Sequence, residues 1–295
     1  MRIWDAELVI DEKLVRRLIA EPAVESLRLL SEGWDRSVWL VNERLVFAFP
    51  RREAVVAPIE REIALLPRLA PLLPLPITQP MFVGEPSEAY PWPFFGAAFL
   101  PGQELCDVDP GMSRSQIGID AARFLRRLHS TEVAAAIDAP ELPADPTGRA
   151  DMARRVAMTR DYLTRIDRPQ SAQAERILAE AERLPQLREP TTIVHGDLHF
   201  RHLLVHDERL SGVIDWVDLC RADACVDLQL VWSVLPPADR TAFLDAYGPV
   251  SDEQLLRARV LALSLSAALA WYARENGMAN VEHEALGGLE RAVMD

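Results

Sequence analysis

The stretch that decides the fold reads Ile193-Val194-His195-Gly196-Asp197-Leu198-His199-Phe200-Arg201-His202-Leu203-Leu204-Val205, then a polar turn, then LSGVIDW from Leu210 to Trp216. Two apolar β-type runs, 192–194 and 203–205, bracket a loop that carries an acid and several histidines. A third run, 212–214, ends on Asp215. The order is strand, loaded loop, hairpin, second acid. His195 precedes Asp197 by two positions, His202 follows it by five (202 − 197 = 5), and Asp215 lies 18 further on (215 − 197 = 18). Two acids at the ends of adjacent short strands can point into one cleft without touching.

His195, His199, His202 and His206 fall within 12 residues, which raises a zinc site. Spacings of 4, 3 and 4 would need a helix to bring the rings onto one face, and here the pattern is a loop between strands. Zinc explains only the histidines; a phosphoryl-transfer site explains the two acids and the hairpin as well. Protein kinases place a catalytic Asp two residues after a His, a metal-binding Asn five residues later, and a second metal-binding Asp beyond it. One carboxylate reaches the acceptor hydroxyl and the other holds the cation that bridges the phosphates.

HGDLHFRHLL followed by VIDW resembles the aminoglycoside phosphotransferase family of kinase-like small-molecule kinases, whose loop usually reads HGDLHxxN; His202 stands in place of that Asn. The resemblance implies an α+β, bilobal protein-kinase-like fold, with a small N-terminal antiparallel-sheet lobe and a larger, mainly helical C-terminal lobe. It implies ATP or GTP as donor, Mg2+ (Mn2+ possible) as cation, and a small-molecule hydroxyl as acceptor. By the same resemblance Asp197 is the catalytic residue, Asp215 is a metal ligand, joined either by His202 in the Asn role or by water alone, and His195 is structural. The string from Arg221 to Leu228 is similar to the family's GDPAVDL, which gives Asp227 the task of fixing the catalytic loop; Asp223 is placed to cap the helix that follows.

Toward the N-terminus, residues 27–41 give two β-type runs about Gly33, and 45–49 a third. The turn at Glu32-Gly33 is placed to lie over phosphates, and a similar GWD-type loop occurs at this position in the family. The third run reads Val46-Phe47-Ala48-Phe49-Pro50, where the kinase pattern carries a phosphate-holding Lys paired with a Glu of the next helix. Ala48 occupies the cation's position, while Glu62 in REIALL supplies the acid. Arg51 and Arg52 are the candidate substitutes for the missing cation. A strand over 92–100 leads to a hinge at Phe99 and Leu100 that would receive the adenine edge, so the expected domains are 1–100 for nucleotide and 101–295 for catalysis and acceptor. Ala48 and His202 also admit an alternative, a kinase-like binding protein with weakened or lost catalysis.

Toward the C-terminus the periodicity is helical: 113–131, 149–166, 171–184, 238–247, 251–276 and 281–294, with a linker at Arg188-Glu189-Pro190. His129 reads as the end of its helix. The acceptor would meet helices 149–184 and those after 238, where Asp239, Asp245, Asp252 and Glu253 accompany the apolar run 261–271. A cationic or amino-sugar acceptor is favoured.

A chain of 295 residues with 49% hydrophobic residues has ample core for two lobes. Its net charge of −13, from 45 acids and 32 bases, argues against nucleic acid; it suits a cationic ligand, and an acidic balance equally serves solubility alone. The apolar run 260–272 contains Ser and is too short for a bilayer, so no membrane partner is expected; a cytoplasmic location is. Cys106, Cys220 and Cys225 form no paired framework.

Overall fold

The computed structural model describes residues 6–33, 35–109, 111–139, 142–167, 171–187 and 192–295. Trp34 of the GWD string and the Arg188-Glu189-Pro190 linker lie outside them. The chain divides into two units: 1–72, 76–100 and 215–217 form the first, and 73–75, 101–214 and 218–295 the second.

The first unit contains α1 (Glu12–Leu18), β1 (Leu27–Glu32), β2 (Arg36–Val41), β3 (Leu45–Pro50), α2 (Val56–Leu69), β4 (Pro80–Gly84) and β5 (Phe94–Ala98). The strands make one antiparallel sheet in the order β1-β2-β3-β5-β4. Side chains alternate across a strand, and the two faces divide accordingly. Trp39, Val41, Phe47 and Phe49 join Val15, Ile19, Tyr90 and Phe94 on the face covered by α1. Ala48 and its partly buried neighbours Val38 and Val46 join Val55, Ile59 and Phe95 on the face covered by α2, where Val217 also packs. Val38 pairs with Ala48, so Arg36, two residues away on β2, shares the α2 face.

The second unit holds β6 (Gln103–Glu104), α3 (Ser115–Leu128), α4 (Thr131–Ile137), α5 (Met152–Arg165), α6 (Ala172–Ala181), β7 (Thr192–Val194), β8 (Leu203–His206), β9 (Arg209–Val213), β10 (Cys220–Ala222), α7 (Cys225–Leu228), α8 (Leu230–Ser233), α9 (Pro237–Tyr247), α10 (Asp252–Glu275) and α11 (Ala279–Val293). β6, β8 and β9 form one small antiparallel sheet, and β7 pairs with β10. The α+β class and the helical predominance of this part are as expected. α10 starts with a capping box between Ser251 and Gln254 and runs through the interior against α5, α6, α7, α8 and α11.

α10 falls where a helix over 251–276 was expected. By length and composition its 24 residues would suffice to cross a membrane. Its buried side, Val260, Leu261, Leu263, Ala267 and Ala270, is instead core of the second unit.

Candidate active site

The loop after β7 is held by its backbone. The His195 N–H donates to Asp227 Oδ2 at 2.8 Å and the Gly196 N–H to Asp227 Oδ1 at 3.1 Å. Oδ2 also receives His129 Nε2–H at 3.1 Å; a carboxylate only accepts, so in a neutral ring Nδ1 accepts from Tyr247 Oη at 2.9 Å. Burial pushes the Asp227 carboxyl up, but the hydrogen bond and charge of His129, with His195, more than offset it and hold the group below the usual carboxylate range. Gly196 is required here: its φ is +90°, and a Cβ would lie 2.2 Å from the Asp218 carbonyl oxygen.

His195 is buried and acts as a brace. Its Nε2 donates to the Ile214 carbonyl at 3.0 Å, and its Nδ1 accepts from the Asp197 N–H at 3.3 Å. The turn Phe200–His202 then folds back, with His202 Nδ1–H on the Asp197 carbonyl at 2.8 Å. Asp197 Oδ1 meets Arg149 Nη1 at 2.9 Å, and Arg149 Nη2 holds Asp218 at 2.7 Å. Burial disfavours the Arg149 charge, yet the two carboxylates outweigh it and raise its pKa. Asp145 fixes the start of this segment by accepting from the Arg149 and Ala150 N–H groups at 2.7 and 2.8 Å.

Potential ligand atoms of Asp197, His199 and His202 lie within 4.8 Å of one another. His199 Nδ1 accepts from the Arg201 N–H at 3.2 Å, so its proton is on Nε2, which faces Asp197 Oδ2 at 3.7 Å as a donor. Burial, then the charges of His202 and Arg201, push the His199 pKa well down. Its orientation is that of a donor to the acid and does not suit a zinc ligand. His202, with Nδ1 committed, would coordinate through Nε2.

In the first unit, Arg36 Nη1 binds both oxygens of Glu62 at 3.0 and 3.1 Å, while Nη2 binds Asp215. Glu62 is 1% exposed and Arg36 8%. Burial pushes the Glu62 carboxyl up to about 7; Arg36 opposes this and Asp215 adds to it. Asp215 sits at a left-handed φ of +66°, which Asp tolerates better than most residues.

The expected cation beside Glu62 is therefore corrected. Arg51 donates to the Gly33 carbonyl at 2.7 Å and pairs with Glu32 at 3.1 Å, and Arg52 pairs with Asp35. Both clasp the turn after β1, because the two residues following Pro50 lie next to that turn across the β2–β3 pairing. The Gly33 N–H closes the turn on the Arg36 carbonyl at 2.9 Å. At the proposed hinge, the Phe99 N–H already donates to the Arg44 carbonyl at 2.8 Å, and Leu100 follows it, partly buried. A cavity of about 670 Å³ in the second unit is lined by Cys106, Asp107, Arg114, Asp239, His283 and Glu284, and contains none of the loop residues above.

The model of the phosphotransferase enzyme family (APH) matches residues 26–260, which include both acid-bearing segments. The chain belongs to this family. As a member of the APH family it is a kinase-type small-molecule phosphotransferase. No curated protein matches the chain in sequence. Among solved structures, the GDP complex of wild-type aminoglycoside 2'-phosphotransferase-IIIa superposes with a TM-score of 0.68 at 22% identity, covering 95% of this chain and 96% of that one. The apoenzyme of macrolide 2'-phosphotransferase MphH from Brachybacterium faecium gives 0.60 at 24%, covering 95% and 98%. At such identities these likenesses establish the shared APH fold alone.

Sequence reasoning missed Arg36, Arg149 and the ring of His129 as a partner of Asp227. Arg36 had a usable signal: with Val38 opposite Ala48, period-two alternation puts Arg36 on the same face.

Proposed function

We propose that the chain transfers the γ-phosphoryl group of ATP or GTP to a hydroxyl of an amine-bearing small molecule, with Asp197 as the catalytic residue. The supporting observation is the way the loop is built around that acid. Asp227 pins the backbone at His195 and Gly196, the His195 ring braces the Asp197 N–H, and Arg149 aims the carboxylate. A pre-positioned carboxylate of this kind orients an acceptor hydroxyl and takes its proton as the bond to phosphorus forms.

The first unit, expected as domain 1–100, would hold the nucleotide, with the Gly33 turn toward the phosphates and the Leu100 backbone toward the base. The second, 101–295, would hold the acceptor. Two acids, Glu62 and Asp215, flank one arginine in the Arg36–Glu62–Asp215 group, which keeps carboxylate oxygens beside the place proposed for a cation. The oxygen donor of Asp215 suits Mg2+ or Mn2+, and the nitrogen of His202 suits Mn2+ better than Mg2+. When bound, such an ion neutralises charge on the phosphates. A formal net charge of −13 supports an acceptor carrying amines.

Asp197→Asn tests the assignment. Positioned base catalysis contributes roughly 10²- to 10⁴-fold, so turnover should fall by that order while melting temperature and nucleotide affinity hold. Phosphotransfer at the wild-type rate would remove Asp197 from the mechanism. A coupled ADP- and GDP-release screen over aminoglycosides, macrolides, choline-like amines and sugars identifies the acceptor; activity confined to uncharged alcohols would reject the amine.

A further inference from the structure

We propose that Arg36, carried on β2, supplies the positive charge for the nucleotide's phosphates that kinase-like enzymes draw from a lysine on β3. The inference rests on the reading that a nucleoside triphosphate binds the first unit. Four observations carry it. The β3 position holds no cation: Ala48 is 4% exposed and packs among Val55, Ile59, Phe95 and Ala97. Arg36 lies on the same face of the sheet as Ala48, displaced by one strand and two residues. Its guanidinium is held by the acid of α2, Glu62, through both carboxylate oxygens, which is the partner that the β3 lysine takes in kinases.

The fourth observation is the contact with Asp215, the acid that the proposed mechanism assigns to the metal. One guanidinium thus touches both groups between which a phosphate-binding cation has to stand. A guanidinium has five N–H donors. Three serve Glu62 and Asp215, and among the described residues the remaining two are left for phosphate oxygens. Arginine also fits the place physically, since a planar fork meets carboxylate and phosphate oxygens in pairs where an ammonium would be a point charge. Arg51 and Arg52, the nearest alternatives in sequence, are spent on Glu32, Gly33 and Asp35.

The test is calorimetric titration of the full chain with ATP or GTP plus Mg2+, and separately with the matching nucleoside. Arg36→Ala combined with Glu62→Gln removes the cation without stranding a buried carboxylate, and its melting curve controls for folding. The triphosphate should bind about 10- to 100-fold more weakly, the worth of charge-assisted hydrogen bonds, while the nucleoside changes by less than about twofold. In the Arg36→Ala background with Glu62 intact, Ala48→Lys should recover at least about tenfold in triphosphate affinity. Unchanged triphosphate binding in the double variant, or an equal loss for nucleoside and triphosphate, overturns the assignment. Wild-type protein that binds neither ATP nor GTP would instead sink the function proposed above, and that is read before any variant is made.

Discussion

At the scale of single residues, the two acids of this enzyme are each answered by an arginine that no motif announces. Arg149 joins Asp197 to Asp218, and Arg36 joins Asp215 to Glu62. In the proposed mechanism Arg149 aims the Asp197 carboxylate, so Arg149→Met should cut kcat by about 100-fold, the order of loss when a reacting group shifts by an ångström, and leave nucleotide Kd unchanged. A parallel loss of nucleotide affinity would contradict that division. Glu62 gives a pH signature. Its folded pKa is raised from 4.5 to about 7, so the proton is bound more tightly in the folded state. The stability this contributes is complete below about pH 4.5 and is lost as pH rises through about 7. Melting temperatures of wild type should therefore fall relative to Glu62→Gln across that window, and a gap that stays constant from pH 4.5 to 7.5 would show that Glu62 is not titrating there.

At the scale of elements, three helices meet on one loop. α7 brings Asp227, α3 ends at His129, and Tyr247 of α9 completes the chain of hydrogen bonds. Asp227→Ala would leave the His195 and Gly196 N–H groups buried without acceptors, at about 1–3 kcal/mol each. Denaturant unfolding should register that loss, whereas Asp227→Asn, which still accepts, should lose less; equal stability of the two variants would show the carboxamide to be no substitute. The parts of this arrangement that follow local rules were legible in the sequence. His195 to Asp215 could be placed because strands, turn and hairpin follow from alternation and from the spacing of the acids. Asp227 was reached by resemblance to a family string. The contributions of His129, Arg149 and Arg36 depend on which helix or strand ends up beside which, and one sequence does not contain that register except where a hairpin fixes it, as between Val38 and Ala48. The cation beside Glu62 was sought along the chain at Arg51 and Arg52; it came from across the sheet.

At the scale of the whole molecule, net charge and chain path matter more than any contact. With a formal charge of −13, encounter with the proposed amine-bearing acceptor would be accelerated, and salt would screen the effect within a Debye length of about 10 Å at 0.1 M. kcat/KM for a polyamine acceptor should drop several-fold between roughly 0.02 and 0.3 M salt, and that for an uncharged acceptor should not. Equal salt response by both would mean the charge serves only solubility. The chain path has a different consequence. After more than a hundred residues in the second unit, the backbone returns to the first for Asp215–Val217 only, adding Val217 to the layer over Ala48 and Asp215 to the arginine of β2, and then leaves again. A recombination that exchanged the first hundred codons with those of a relative would transplant the sheet but leave this three-residue graft behind. The transplanted sheet would then meet, over its position 48 and beside its position 36, a Val217 and an Asp215 from the other parent.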